Sequence, residues 1–494
     1  MSGLCQVSGR GGRHGGLGHW LGVVGFVLVA LAAVSLVRER LVPYGADLAR
    51  ASWRLTGDEP SYLVTAQALA SGDGENARGV LRREAWRNFQ NKRPIGPKTW
   101  TWQYFQDAEV IPLLDRSRMW GDVTRGRQTC HRPPLEAVLA APFALKETNV
   151  RWSVLCAQGT LAVLLVALSF LLVVPHGTSS ASRATMLLVA FLVLCGLPAL
   201  YYTAEIFPEV PCGCLLLFSL AALGRSEKGW RRVGCLVLML MPWATARVVP
   251  AVACVAVLCL VRAWREKDWV QVGIVVAMGV TYLAYNLWLW GDVLPPNPAV
   301  NSHMSMAWMP EGLVTFFWNR AMGLFLLNPA QWVVFLLALA ALGMRRTRNA
   351  SLMPWVMFVC QVLTVAAFPD YRAGTCPAGR YQVIAGFLLL PAAWNLLAEG
   401  AEWPRFFRTA CWLLGLYGAL SLVVAGAVAW LPSSWFQRYH PLFYYQAIQP
   451  YYDWLPFWKP TGNLRAWWPW LVFFGVPVVA LGAAAWRDRK ARKG

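Results

Sequence analysis

The chain has 494 residues, of which 57% are hydrophobic, and it carries a net charge of +20. Several apolar runs reach the roughly 20 residues that a bilayer crossing needs, which argues against a soluble globular protein. In so apolar a chain the positive charge indicates basic anchoring loops and a surface facing anionic lipid or phosphate. We expect membrane lipids as partners and no nucleic acid, because no motif for nucleic-acid binding is present.

The N-terminal tail, residues 1–19, is predicted to be cytoplasmic, and a long apolar run follows it. No small-residue cleavage site is obvious, so we expect a retained first span rather than a removed signal peptide. The predicted fold class is an all-α integral membrane protein with about 12 transmembrane helices, within a range of 10–13. The candidate spans are residues 20–37, 152–174, 184–204, 209–224, 233–246, 248–263, 269–290, 325–344, 351–368, 381–398, 409–430 and 466–486.

Short connections rich in Lys and Arg fall on one side of the membrane if the N-terminus is cytoplasmic. These connections are residues 225–232, 262–268, 345–348 and the tail from residue 487. The positive-inside rule therefore predicts a multi-pass protein with both termini in the cytoplasm. Residues 401–494 would hold the last transmembrane helices, an outer loop over 431–465 and the basic cytoplasmic tail.

The first loop, residues 38–151, falls on the opposite, extracytoplasmic side. It holds 13 of the chain's 25 acidic residues and is too long for its charge to set its orientation. Within it, residues 135–145 are apolar but too few to cross the bilayer, which predicts an interfacial or re-entrant helix. We expect a polar domain with interfacial helices rather than a simple linker.

An acidic pair, Asp58 and Glu59, lies in this loop soon after the first span, in the stretch 57–63. Two adjacent carboxylates near a membrane are costly unless they bind a cation, accept a proton or face water. Asp58 could act as a general base or orient an acceptor, with Glu59 helping to hold the acceptor. The pair could also hold a divalent cation, although no metal ligand is assigned. The alternative is that Asp58 only caps a helix over 61–70.

Other ionisable and hydrogen-bonding side chains gather at the predicted outer ends of different spans, which is the pattern of one site at a membrane face. They are His131, Glu205, Glu209, Arg247, Arg380 and Tyr381. The guanidinium group is the best bidentate ligand for phosphate, so the arginines are candidate phosphate contacts. A histidine can transfer a proton or bind phosphate. Each also has a structural alternative, such as anchoring at the interface or contact with a lipid headgroup.

The twelve cysteines show neither paired spacing nor the Cys/His spacing of a zinc site. Cys130 and Cys376 both fall in predicted outer loops and could pair, but the sequence alone leaves this open. The motifs of P-loop ATPases, dinucleotide-binding folds and zinc proteases are also missing, so those functions have no support.

Six short motifs follow one another along the chain. They are Gly57-Asp58-Glu59-Pro60-x-Tyr62-Leu63, His131-x-Pro133-Pro134-Leu135, Phe207-Pro208-Glu209-Val210-Pro211, Pro242-Trp243-x-x-x-Arg247, Gly323-Leu324-Phe325-x-x-Asn328-Pro329 and Gly379-Arg380-Tyr381. Together they resemble the bacterial members of the GT-C superfamily of multi-spanning glycosyltransferases, and the branch that looks most similar includes lipopolysaccharide-core transferases and protein mannosyltransferase-like proteins. The resemblance covers about residues 20–400 and depends on the order of the motifs, because each motif is weak alone.

The resemblance implies transfer of a sugar from a polyprenyl-phosphate donor to a lipid, glycan or protein acceptor. The transfer would occur at the extracytoplasmic face of a bacterial inner membrane, with residues 20–400 as the catalytic module. By resemblance, the catalytic acidic residue corresponds to Asp58, the second acidic residue to Glu59, and the contact with donor phosphate to Arg380. Close relatives usually carry His where this chain has Ser61, and residues 82–129 are longer and more basic than usual. Both departures leave the acceptor undefined.

The main alternative is a transporter or a lipid or polysaccharide flippase, for which twelve spans are equally natural. A transporter predicts ionisable groups and broken helices near the middle of the membrane. Here the predicted charges lie at the outer ends of the spans, which favours the enzyme.

Overall fold

The fold is taken from a computed structural model that describes the first span, most of the region between the second and tenth spans, and a few isolated positions. In residue numbers these are 14–41, 119–120, 129–130, 150–175, 177–196, 198–203, 206–290, 293, 306, 309–318, 323–367, 380–399, 409, 412–413 and 415–416. This part of the chain is helical apart from one short antiparallel ladder. The ladder pairs β1 (Met119–Trp120) with β2 (Thr129–Cys130).

Fourteen α-helices are found in the described residues, and two 3-10 turns, Met241–Trp243 and Ala246–Val248, connect α6 to α7. The helices are α1 (His14–Leu41), α2 (Val150–Val173), α3 (Ser180–Leu194), α4 (Ala199–Tyr202), α5 (Glu209–Leu223), α6 (Lys228–Leu240), α7 (Val249–Arg265), α8 (Trp269–Trp290), α9 (Met309–Trp318), α10 (Leu324–Leu327), α11 (Ala330–Gly343), α12 (Arg345–Ala366), α13 (Gln382–Leu388) and α14 (Leu390–Ala398).

Five helices in the described residues are long and apolar enough to cross a membrane, which confirms the predicted helical membrane fold for this part of the chain. They lie over Gly18–Leu36, Ser153–Val173, Ala246–Arg265, Trp269–Trp288 and Arg345–Ala366. Shorter apolar helices pack among them, with α5 against α2, α6 and α13. The predicted spans 409–430 and 466–486 lie largely or wholly outside the described residues, and the predicted interfacial helix 135–145 lies wholly outside them.

The predicted span 184–204 is wrong at its end, because α3 stops at Leu194 and one turn, α4, follows. Gly196 and Pro198 follow directly and are local signals for the end of a helix. A side chain distant in sequence adds to them: Asn328 Nδ2 donates a hydrogen bond of 2.9 Å to the Leu192 carbonyl oxygen. Asn328 also approaches Gly196 so closely that a Cβ there would lie 2.4 Å from Nδ2. The terminal carbonyls of a helix need such partners, so this contact stabilises the early end of α3.

The predicted basic connection at 345–348 is also corrected, because these residues form the first turn of α12. Helix α9 was not predicted at all. It packs closely on α12 at Gly312, where a Cβ would lie 2.1 Å from the Ala366 carbonyl oxygen.

The basic connections meet at one end of the helix bundle, which we call the basic end. Arg232 forms an ion pair of 2.9 Å with Asp268, and Arg231 forms one with Glu266, so the α5–α6 and α7–α8 connections lie side by side. Arg225 joins them to α2 by donating a 3.0 Å hydrogen bond to the Leu172 carbonyl oxygen.

The N-terminal part of α1 lies at the same end. The ring of His19 stacks on that of Phe170, near the end of α2, with the ring centroids 5.7 Å apart. The start of α5, the two 3-10 turns and the start of α13 therefore lie at the opposite end of the bundle, because successive helices alternate in direction. We call this the site end.

Reporter fusions test which end faces the cytoplasm. Because the basic loops alternate with apolar spans, fusions after residues 228, 265, 347 and 490 should report cytoplasm, and those after 90, 297, 374 and 450 the outside. A cytoplasmic signal at residue 90 would place the acidic pair of the first loop on the wrong face, and the enzyme mechanism proposed below would then fail.

Candidate functional site

A buried ion pair joins two of the predicted site residues at the site end. Arg380 Nε lies 2.6 Å from Glu209 Oε1, and the two side chains are only 4% and 3% exposed. The guanidinium carbon of Arg380 also lies 4.1 Å from the centroid of the Phe207 ring, a cation–π arrangement. Glu209 is the first residue of α5, where the helix dipole favours a carboxylate.

The pair forms because α5 and α13 approach closely one turn further along α5. A Cβ at Gly213 would lie 2.6 Å from Cδ2 of Phe387, so only glycine allows this packing without a shift of the ring. The close contact holds the motif that ends at Glu209 beside the motif that contains Arg380. Residues 171 positions apart in sequence thus become hydrogen-bonded partners.

A second arginine, Arg247, packs against the adjacent Tyr381. Its Nη2 atom donates a 2.6 Å hydrogen bond to the Tyr381 hydroxyl, and its guanidinium carbon lies 3.8 Å from the ring centroid. The guanidinium carbon of Arg380 lies 5.6 Å from the same ring, so Tyr381 contacts both arginines. Arg247 is half-buried, whereas Arg380 is buried.

The 3-10 turns that carry Arg247 are tied to α5. The Cys212 thiol lies 3.8 Å from the sulfur of Met241, where the first turn begins. The side chains of Phe207, Glu209, Arg247, Arg380 and Tyr381 therefore form one cluster, which we call the arginine cluster.

The arginine cluster combines positive charge with a carboxylate oxygen that can accept a further hydrogen bond. Oε2 of Glu209 is buried and has no hydrogen-bond partner in the described part of the chain. A buried carboxylate oxygen of this kind is costly unless something pairs with it. The cluster can therefore hold an anionic group through guanidinium and accept a hydrogen bond from a hydroxyl.

The structure brings together four of the eight predicted site residues, namely Glu209, Arg247, Arg380 and Tyr381. The others, Asp58, Glu59, His131 and Glu205, lie outside the described residues, as does Cys376. No group of three or more His, Cys, Asp or Glu suited to a metal ion occurs among the residues that the structure describes.

The aromatic lining of the arginine cluster was not predicted from the sequence. Phe207 stacks on Arg380, and Tyr202 packs edge-to-face on Phe207 with ring centroids 5.7 Å apart. Both rings are fully buried. These two residues lie on either side of Glu205 in the predicted outer turn. This position could have indicated their role, because aromatic residues beside a predicted charge cluster often stack on guanidinium groups.

Neither known protein families nor curated protein sequences match this chain. Among solved structures, the chain is similar to the crystal structure of ArnT from Cupriavidus metallidurans bound to undecaprenyl phosphate. The identity is 14% and the TM-score 0.45, over 86% of this chain and 70% of that chain. A likeness of this extent is too weak to establish a family, an activity or a substrate.

Proposed function

We propose that the chain is a membrane glycosyltransferase of the GT-C type that uses a polyprenyl-phosphate-linked sugar as donor. The acceptor is a lipid, glycan or protein at the extracytoplasmic face of a bacterial inner membrane, and the site end of the bundle faces that side.

The observation that carries this proposal is the meeting of three motifs in the arginine cluster. The motifs that contain Glu209, Arg247 and Arg380 are far apart in the sequence and start or end different spans. Their convergence supports one polar site at a bundle end. A transporter would instead place ionisable groups near the middle of its spans.

The proposed sugar transfer requires mainly that the protein position the two substrates and stabilise the charge of the leaving phosphate. A sugar on a lipid phosphate already has a good leaving group, so the protein must orient an acceptor, take its proton and stabilise the departing phosphate. We assign proton removal to Asp58, assisted by Glu59, as the sequence resemblance implies.

Among the two arginines, Arg247 is better placed to contact the donor phosphate, because Arg380 is buried and already bonded to Glu209. Arg380 then holds the Glu209 carboxylate in position, with Tyr381 packed between the two guanidiniums. His131 and Glu205 remain proposed substrate contacts.

The direct test is transfer by the purified full-length chain. Incubated with polyprenyl-phosphate sugars and membrane extract of a deletion strain, the chain should release free polyprenyl phosphate and form a product that the deletion strain lacks. Identical glycan and lipid compositions in the deletion strain and its parent, together with no release from any donor tested, would contradict the proposal.

Replacing Arg247 tests its phosphate role. Arg247→Gln should raise the KM for the donor about 10–100-fold, because hydrogen bonds to charged groups are worth about 1.5–3 kcal/mol. The matched control is Arg265→Gln, an exposed arginine at the basic end, which should leave KM unchanged. An unchanged donor KM in Arg247→Gln would move the phosphate contact elsewhere.

A further inference from the structure

A second group of side chains at the site end is aromatic and lies beside the arginine cluster. Trp243, four residues before Arg247, packs against Tyr282 and Tyr285 of α8. Its ring centroid lies 5.4 Å from that of Tyr282, edge-to-face, and 4.7 Å from that of Tyr285. We call these three residues the aromatic cluster.

The indole nitrogen of Trp243 and the hydroxyl of Tyr282 are shielded from solvent. Trp243 Nε1 has no hydrogen-bond partner within the described residues, whereas the Tyr282 hydroxyl lies near the side chain of Asn286. Aromatic residues that merely line a membrane interface turn their polar atoms toward water and headgroups. A buried indole N–H without a partner lowers stability, and such an atom points to a missing acceptor.

We propose that the aromatic cluster is the subsite for the sugar ring of the donor, an assignment that rests on the proposed function. A sugar ring offers both an apolar C–H face, which packs on aromatic rings, and hydroxyl oxygens that accept hydrogen bonds from an indole N–H and a phenol O–H. In a polyprenyl-phosphate sugar the ring is bonded directly to the phosphate. A phosphate at Arg247 therefore places the ring near Trp243, in the same short segment of chain.

The isoprenoid chain of the donor fits the cluster less well. A hydrocarbon has no acceptor atoms, so it would leave the Trp243 indole N–H buried and unpaired. A site built to bond hydroxyls instead gains affinity for a ligand that carries them and loses it for one that lacks them.

The test compares lipids with and without a sugar on the full-length chain in nanodiscs. The probes are polyprenyl phosphate and its glucose, mannose and arabinose derivatives, and the measured quantity is the Kd of each. The parent chain should bind at least one sugar-bearing lipid more tightly than polyprenyl phosphate.

Trp243→Leu should reduce the preference for the sugar-bearing lipid about three- to tenfold without changing the Kd of polyprenyl phosphate. Tyr282→Phe, which keeps the ring, should remove part of the preference. This smaller change still tests the subsite if the Trp243 variant does not fold. Trp264→Leu is the matched control, because Trp264 is an exposed tryptophan at the basic end, and it should change neither Kd.

The outcomes separate this inference from the proposed function. Binding of all four lipids with equal Kd in the parent, or an equal loss for all four in Trp243→Leu, would overturn the sugar subsite and leave a polyprenyl-phosphate site standing. Failure of the parent to bind any of the four lipids would overturn the proposed function and the sugar subsite with it.

Discussion

Asp58→Asn is expected to reach the membrane in the parental amount and to lose about 10²–10⁴-fold of its transferase activity, the usual contribution of a general base. Asparagine is nearly isosteric with aspartate and keeps one acceptor oxygen, so a helix-capping role would survive the change with little loss of stability. A base role would not, because an amide cannot take the acceptor's proton near neutral pH. The two roles are therefore separated by the size of the effect.

The measurement is product formation in the deletion strain, with the variant and the parent expressed at a level where enzyme limits product. Glu59→Gln is the control at the neighbouring residue, and it should lose less activity than Asp58→Asn unless a metal ion is required. If Asp58→Asn were as active as the parent, Asp58 would not be the base, and the site would have to be rebuilt around Glu205 or Glu209.

The second large expected effect is a loss of stability when the buried ion pair between Glu209 and Arg380 is broken. Removing one partner of a buried ion pair leaves the other charge uncompensated, at a cost of about 3–5 kcal/mol. We therefore expect Glu209→Gln and Arg380→Met each to lower the free energy of unfolding by about that amount. The double variant should recover most of the loss, because replacing both charges by neutral groups is often close to neutral.

Denaturation of the purified chain in detergent, followed by helical circular dichroism, measures these differences. Glu227→Gln provides the matched control, since Glu227 pairs with Arg225 at 2.9 Å at the basic end and is half exposed. An exposed pair contributes about 0–1 kcal/mol. Additive losses in the double variant would show that Glu209 and Arg380 are not coupled, contrary to the buried geometry.

The part of the fold that follows from local sequence was predictable. The span 269–290 was predicted with its observed bounds, because one uninterrupted apolar run with charged residues before it forms α8. The end of α3 was missed although Gly196 and Pro198 form a local stop signal for a helix. The contact that accompanies it was not predictable, because it comes from Asn328, 136 residues away. Such long-range contacts depend on how the helices pack, and no local pattern encodes them.

The candidate site was likewise predictable only in part. That Glu209, Arg247 and Arg380 lie at one end of the bundle follows from counting spans and reading their charges. That Arg380 bonds Glu209 while Arg247 bonds Tyr381 does not follow, since it depends on the packing of Gly213 against Phe387. The sequence resemblance gave Arg380 the phosphate contact, and its burial leads us to propose Arg247 for that role instead.

Three of the apolar helices that reach the site end are short. Helices α3 and α5 have 15 residues each and α11 has 14. At a rise of 1.5 Å per residue they extend about 21–23 Å, whereas the hydrocarbon core of a bilayer is about 30 Å thick. Helices α5 and α11 are largely buried within the bundle, so their length does not set the thickness of the surrounding bilayer. Their short length instead recesses the site end within the bundle, and a lipid phosphate bound at Arg247 would lie below the level of the surrounding headgroups while its isoprenoid tail stays in the membrane.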